Sequence, residues 1–294
     1  MARTSSAVAA PARRNQGLAA LRRRIPDAIA FVVACAWGVL FVVPFFWMVS
    51  SSLKTEAQIY VLPIQWIPNP FQLNNYPDAW NEAPFARYFL NTAVITAANL
   101  IGTVASCSLA AFAFARLRFK GREALFFITL MTMMLPGQVT LVPQFILFRS
   151  LDWINTYWPL VVPAFFGNPF YIFLIRQFML TIPAELEEAA RIDGASSLQI
   201  YARIFVPLAA PALVASIIFS FMFHWNDFFG PLVYLNSDSM KTLALGLAAF
   251  KGEFSDQWNL LMAGSVMMLL PCLLLFFFAQ RYFIEGVVMT GLKE

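Results

Sequence analysis

Charge is scarce in this 294-residue chain. Only 12% of its residues are Asp, Glu, Lys or Arg, about half the roughly 25% usual in a soluble domain. With 60% hydrophobic residues, such a chain could not cover its own surface with polar groups in water. A mean hydropathy of +0.67 points the same way, and a bilayer is the solvent that suits it. Histidine is nearly absent: His224 stands alone, which excludes a histidine-rich metal site within the chain. The three cysteines, Cys35, Cys107 and Cys272, lie far apart inside apolar runs and form no C-x-x-C. They read as small buried apolar side chains, neither a disulfide framework nor a metal site. No phosphate loop of the form G-x-x-x-x-G-K-[ST], no H-E-x-x-H and no G-x-S-x-G occurs, so no catalytic constellation is visible and any ATP must be bound by another chain. The net charge of +4 is too modest to argue for nucleic acid.

What the chain does have is long apolar runs. A membrane helix needs about 20 mostly apolar residues. Six uncharged stretches reach that length: 28–49, 88–115, 124–148, 153–175, 204–225 (extendable to 234) and 258–280. The expected fold class is all-α, a polytopic membrane protein with six transmembrane helices. Pro44, Pro136, Pro143, Pro163 and Pro169 fall inside these stretches and predict kinks, which membrane helices tolerate. The sharpest break is expected at Met134-Leu135-Pro136-Gly137.

The basic residues orient the chain. Fifteen of the twenty lie in the N-terminal tail, in the loop after the second span, after the fourth span and in the C-terminal tail. The positive-inside rule places those segments, and both termini, in the cytoplasm. Two ends on one side require an even number of spans. Residues 1–25, rich in Ala, Ser and Arg without apolar periodicity, are expected to be a disordered cytoplasmic tail, and 26–294 a single transmembrane domain. The first apolar run is too long for a cleaved signal and no small-residue cleavage site follows it. The longest external loop, 51–87, holds five prolines with Trp66, Tyr76 and Trp80, aromatics that suit a membrane interface.

The segment 181–206 differs from the rest. Pro183 suits a first helical position, and Glu185, Glu187 and Glu188 sit where the helix dipole favours acids. Gly194 can take a positive φ and end that helix. Ser196 with Gln199 has capping-box spacing and starts the next. Leu198, Tyr201 and Phe205 make an apolar stripe. Two short helices with a bend are the result; an amphipathic helix lying on the membrane reads the same way by local physics alone.

Glu188-Ala189-Ala190, then Gly194 after three intervening residues, then Ile204 and Val206-Pro207, with Asp193-Gly194-Ala195 between, resembles the E-A-A signature of ABC-importer permeases. Val206 stands where that family usually has Leu. Trp225-Asn226-Asp227-Phe228 with Pro231-Leu232 resembles the end of the fifth span in its carbohydrate class. Gln280-Arg281-Tyr282, Gly286 and Gly291 resemble the tail of the second permease subunit of maltose-type importers. The resemblance covers nearly all of the chain after residue 28. It implies a permease subunit that translocates a sugar, oligosaccharide or related polyol derivative across the inner membrane. It further implies a second permease subunit, two cytoplasmic ATPase subunits that bind the ATP and Mg, and an extracytoplasmic substrate-binding protein. Glu188, Ala189, Ala190, Asp193, Gly194 and Ala195 would then lie at the joint with an ATPase subunit.

The spans also carry candidate pathway residues. In the fifth span Ser216, Ser220 and Asp227 share a face, with His224 to one side and Asn226 nearby. In the second span Thr92, Thr96, Asn99, Thr103 and Ser106 do the same. Such stripes line a hydrophilic pathway or serve as interhelical hydrogen-bonding glue. Asp227 fits a hydrated pathway or the external headgroup layer, and His224 fits a hydrogen-bonded structural histidine better than a proton relay. The alternative function is an ion-gradient-driven secondary transporter. That reading calls for repeats and mid-membrane charges, and neither is seen.

Overall fold

Hydropathy and proline placement determine where the helices run. The computed structural model describes residues 14–82, 84–253 and 257–291, with no strand among them. α1 (Arg14–Ser52) leads through α2 (Glu56–Tyr60) and α3 (Asn75–Glu82) to the long α4 (Phe85–Arg116). Then come α5 (Arg122–Met131), α6 (Gly137–Ser150), α7 (Trp158–Val161) and α8 (Pro169–Thr181). The polar segment holds α9 (Ala184–Ile192), α10 (Ser197–Ile200) and α11 (Val206–Leu208). The chain continues with α12 (Ala210–Trp225), α13 (Phe229–Tyr234), α14 (Leu243–Glu253) and α15 (Trp258–Gly291). α1 begins inside the stretch 1–25 expected to be disordered, so residues 14–25 are helical instead; residues 1–13 of that stretch lie outside the described set.

Among the described residues, four stretches are long and apolar enough to cross a membrane: Ala28–Ser52, Phe85–Arg116, Trp158–Thr181 and Trp258–Gln280. Two more are broken. Arg122–Met134 meets Gly137–Ser150 at 98°, and Ser197–Leu208 meets Ala210–Trp225 at 76°. With each bent pair as one span the count is six. The first break falls at the expected Leu135-Pro136, where Leu135 is extended (ψ 115°) as a residue before proline prefers. The second break falls inside the stretch 204–225 read as the fifth span. The chain turns at Ala209, between Pro207 and Pro211, which lack the amide hydrogens a continuous helix would use there.

α4 is the axis of the molecule, packed against α8 and α12, while α1 runs along α15. One buried cluster joins the second half of α4 (Cys107, Ala111, Phe112) to Ile175 and Met179 of α8 and to Ile200 and Phe205. A second joins Phe85 and Tyr88 at the start of α4 to Trp225, Leu243 and Ala263. Much of the remaining apolar surface is exposed, Phe31, Val39 and Phe41 among it, as lipid-facing side chains are. Lipid is as apolar as those side chains, so close packing of small residues holds the helices together. Gly102 admits the Phe165 ring, which would stand 2.8 Å from an added Cβ. Gly246 admits the Tyr88 ring, which an added Cβ would overlap.

The loop 51–87 is tied down by buried polar groups. Asn75 Nδ2 donates to the carbonyls of Ser52 (2.9 Å) and Lys54 (2.7 Å), and Asn259 Nδ2 donates to Asn75 Oδ1 at 3.0 Å. The Lys54 ammonium sits over the Trp47 ring at 3.9 Å, a cation–π contact. Its burial pushes its pKa below the usual lysine range.

Gly246→Val should destabilise the detergent-solubilised protein by about 1–3 kcal/mol, since Tyr88 is itself buried and must move. Gly38→Ala, with nothing within 4 Å of the added Cβ, should leave the unfolding midpoint within about one degree. Thermal unfolding followed by tryptophan fluorescence checks both.

Candidate functional site

The segment 181–206 folds into two helices joined by a fixed bend. α9 ends in a Schellman motif at Gly194, whose φ is +81°. The Ala195 amide donates to the Ala190 carbonyl at 2.9 Å and the Gly194 amide to that of Arg191 at 3.0 Å. Ser196 and Gln199 form the expected capping box: the Ser196 amide donates to Gln199 Oε1 (2.8 Å), and the Gln199 amide to Ser196 Oγ (3.3 Å). On α9 itself, Arg191 donates to Glu187 at 2.8 Å, one turn back.

The bend has two faces. Ala190 and Ala195 are half-buried and pack on the core cluster. Glu188, Ala189, Asp193 and Gly194 are exposed, and so are the apolar Leu186, Ile192 (87%) and Leu198 (67%). The six residues singled out at this joint therefore divide into two that anchor and four that are presented. The expected stripe Leu198–Tyr201–Phe205 is corrected: Leu198 points outward, while Tyr201 and Phe205 turn in. A π-helical turn over Tyr201–Phe205 shifts the register between them.

What anchors the bend is aromatic and cationic. Phe205 and Ile200 are fully buried. Phe112 of α4 lies 5.2 Å from the Phe205 ring and 5.4 Å from the Tyr201 ring. The Tyr201 hydroxyl and Ser108 Oγ are 2.7 Å apart. The Arg116 guanidinium, at the end of α4, donates to the carbonyls of Met179 and Ile182 and lies 4.7 Å over the Phe205 ring. Beside α9 is a hollow of about 870 Å³, walled by Arg116, Arg118, Arg122 and Arg191 with Glu187 and Glu188.

A second candidate site lies among the spans. A cavity of about 410 Å³ sits between α4, α6, α8, α12 and α13. His224 and Asp227 line it, with Asn99 and Thr103 of α4. Asp227 Oδ1 accepts the Gly230 amide at 3.1 Å. Asn99 donates to the Ile95 carbonyl at 2.9 Å, but its buried Oδ1 has no partner. The other predicted residues do not border the cavity. Ser216 is buried and donates to the Ala212 carbonyl at 2.8 Å; Ser220 is buried 3.5 Å from Thr103 Oγ1. Asn226 is exposed and donates to the Met222 carbonyl at 2.8 Å. Thr92 accepts the Leu243 amide at 2.7 Å, and Ser106 reaches the Ala164 carbonyl at 2.9 Å, both as packing contacts. Thr96 is buried without a partner. Gln144, Asn168 and Tyr171 also line the cavity and were not anticipated. Each is a lone polar or aromatic residue beside a proline-broken helix, where no periodicity marks it.

Residues 98–288 match the profile of the family described as binding-protein-dependent transport system inner membrane component. The probable ABC transporter permease protein YurM of Bacillus subtilis is 35% identical over 255 residues, covering 85% of this chain and 83% of that protein. The arabinooligosaccharides transport system permease protein AraQ of Halalkalibacterium halodurans is 34% identical over 247 residues, covering 84% and 88%. In fold, the chain resembles a solved chain of a bacterial ABC transporter involved in the import of the acidic polysaccharide alginate. That match has a TM-score of 0.79 at 24% identity and covers 88% of this chain and 97% of that one.

Cysteine scanning distinguishes cavity walls from packed seams. In a variant lacking the native cysteines, His224→Cys and Asp227→Cys should react with a small hydrophilic thiol reagent. Ser216→Cys and Ser220→Cys should react at least about tenfold more slowly, as groups packed to interior density do.

Proposed function

The chain belongs to the family of binding-protein-dependent transport system inner membrane components, and on that footing we propose that it is the permease subunit through which an ATP-driven importer moves a sugar, oligosaccharide or related polyol derivative. The carbohydrate class rests on relatives such as the arabinooligosaccharide permease. ATP and Mg are bound by two cytoplasmic ATPase subunits. A second permease subunit completes the pathway, and an extracytoplasmic binding protein delivers the cargo. The distribution of basic residues puts both termini and the segment 181–206 on the cytoplasmic side.

The observation that carries the coupling role is the two-faced bend. Glu188, Ala189, Asp193 and Gly194 are offered to a partner, while Ala190 and Ala195 rest on the core. Small side chains let an ATPase surface approach closely. A push on α9 cannot be absorbed locally, because the Schellman motif and the capping box fix the angle to α10. It passes through Ile200 and Phe205 to α4, and across the turn at Ala209 to α12. A rigid lever on a bent span is a means of switching a pathway between two openings.

Gly194→Pro cannot adopt the φ of +81° that the bend requires, and Glu188→Lys reverses the charge of the presented face. Both variants should insert in the membrane at normal levels and lose ATP-driven uptake by at least about tenfold. Normal uptake by a well-expressed Glu188→Lys protein would count heavily against the coupling role. Uptake that collapses with an ionophore while ATP is maintained would restore the ion-gradient alternative.

A further inference from the structure

We propose that the cavity among the spans selects uncharged saccharides over acidic ones, and that Asp227 is the residue that sets this preference. The inference rests on the carbohydrate-importer reading and sharpens it. Among the described residues lining the cavity there is one carboxylate, Asp227, and no lysine or arginine. Among the described residues Asp227 has no ion-pair partner. One of its oxygens accepts the Gly230 amide at 3.1 Å, and the other lies 2.6 Å from where a Cβ of Gly230 would stand. The absence of a side chain at Gly230 thus leaves room for the carboxylate.

Behind the cavity wall lies a buried acceptor. Asn99 is fully buried, its amide nitrogen is committed to the Ile95 carbonyl, and its Oδ1 has no partner. A buried acceptor without a donor costs free energy until one arrives. Saccharide hydroxyls supply donors to the Asp227 carboxylate and accept in turn from neighbouring groups, whereas Asn99 Oδ1 lies closed off behind the cavity wall. A uronate or phosphorylated saccharide brings acceptors and negative charge into a cavity whose described lining holds no lysine or arginine to pair them and one carboxylate to repel them, which a low-dielectric site penalises. Phe148 and Tyr234, edge to face at 5.5 Å, give the same cavity an apolar wall of the kind small-molecule sites use beside a few polar groups.

The test uses the chain with the subunits that copurify with it, reconstituted in nanodiscs with the binding protein. Saccharide-stimulated ATP hydrolysis is measured for arabinotriose, lactose and raffinose against trigalacturonate and glucose 6-phosphate. The wild type should be stimulated by at least one neutral saccharide and at least about tenfold less by either acidic one. Asp227→Lys should shift the ratio of acidic to neutral stimulation upward by at least tenfold. Asp227→Asn, the milder change, should shift it in the same direction by a smaller factor. The ratio is the readout that assigns selection to this chain, because the binding protein is the same throughout. Stimulation of the wild type by an acidic saccharide as strong as by a neutral one overturns the inference and leaves the carbohydrate reading standing. So does an unchanged ratio in both variants. Stimulation by none of the five overturns the carbohydrate reading itself, and this inference with it.

Discussion

The Arg116 guanidinium is the contact on which the segment 181–206 depends. It ends α4, caps the last carbonyls of α8 through Met179 and Ile182, and covers the Phe205 ring. Three elements that are distant in sequence meet at one planar cation. A lysine could not reproduce this, because only the guanidinium offers several donors in a fixed plane that also stacks on an aromatic face. Through this contact and the Phe112–Tyr201–Phe205 cluster, the exposed bend at Gly194 is fastened to the central helix of the molecule.

The spans obey a different constraint. Lipid accepts no hydrogen bonds, so every polar group within the spans must find its partner in the protein. Ser216 returns to the carbonyl one turn earlier, Thr92 holds the Leu243 amide, and Ser106 bridges to Ala164. The same rule makes the exceptions informative. Asn99 Oδ1 is left without a partner beside the cavity that also holds His224 and Asp227. Polar residues that close their own hydrogen bonds are packing.

Much of this was legible in the sequence, for reasons that can be named. Six apolar runs located the spans because length and hydropathy are what a bilayer selects. Pro136 located the first break because proline cannot donate and restricts its predecessor. Gly194 and the Ser196–Gln199 pair located the bend because both are local devices. The turn at Ala209 was not legible, since the apolar run continues through it and only Pro207 and Pro211 hint at it. The cavity was half legible. His224 and Asp227 stood out as ionisable groups in an apolar region. Gln144, Asn168 and Tyr171 come to it from helices whose relative placement no periodicity encodes. Ser216 and Ser220 share the helical face predicted for them, but that face meets α4 instead of the cavity.

The central claim, that the exposed bend is where an ATPase subunit docks, is tested most directly by copurification from native membranes in mild detergent. The wild-type chain should bring down a second multispanning subunit and an ATPase carrying a phosphate loop. A chain carrying Glu188→Lys with Asp193→Lys should retain the multispanning partner and lose the ATPase. Retention of the ATPase by that variant at the wild-type ratio, or a wild-type chain that purifies alone as a stable species, would contradict the account.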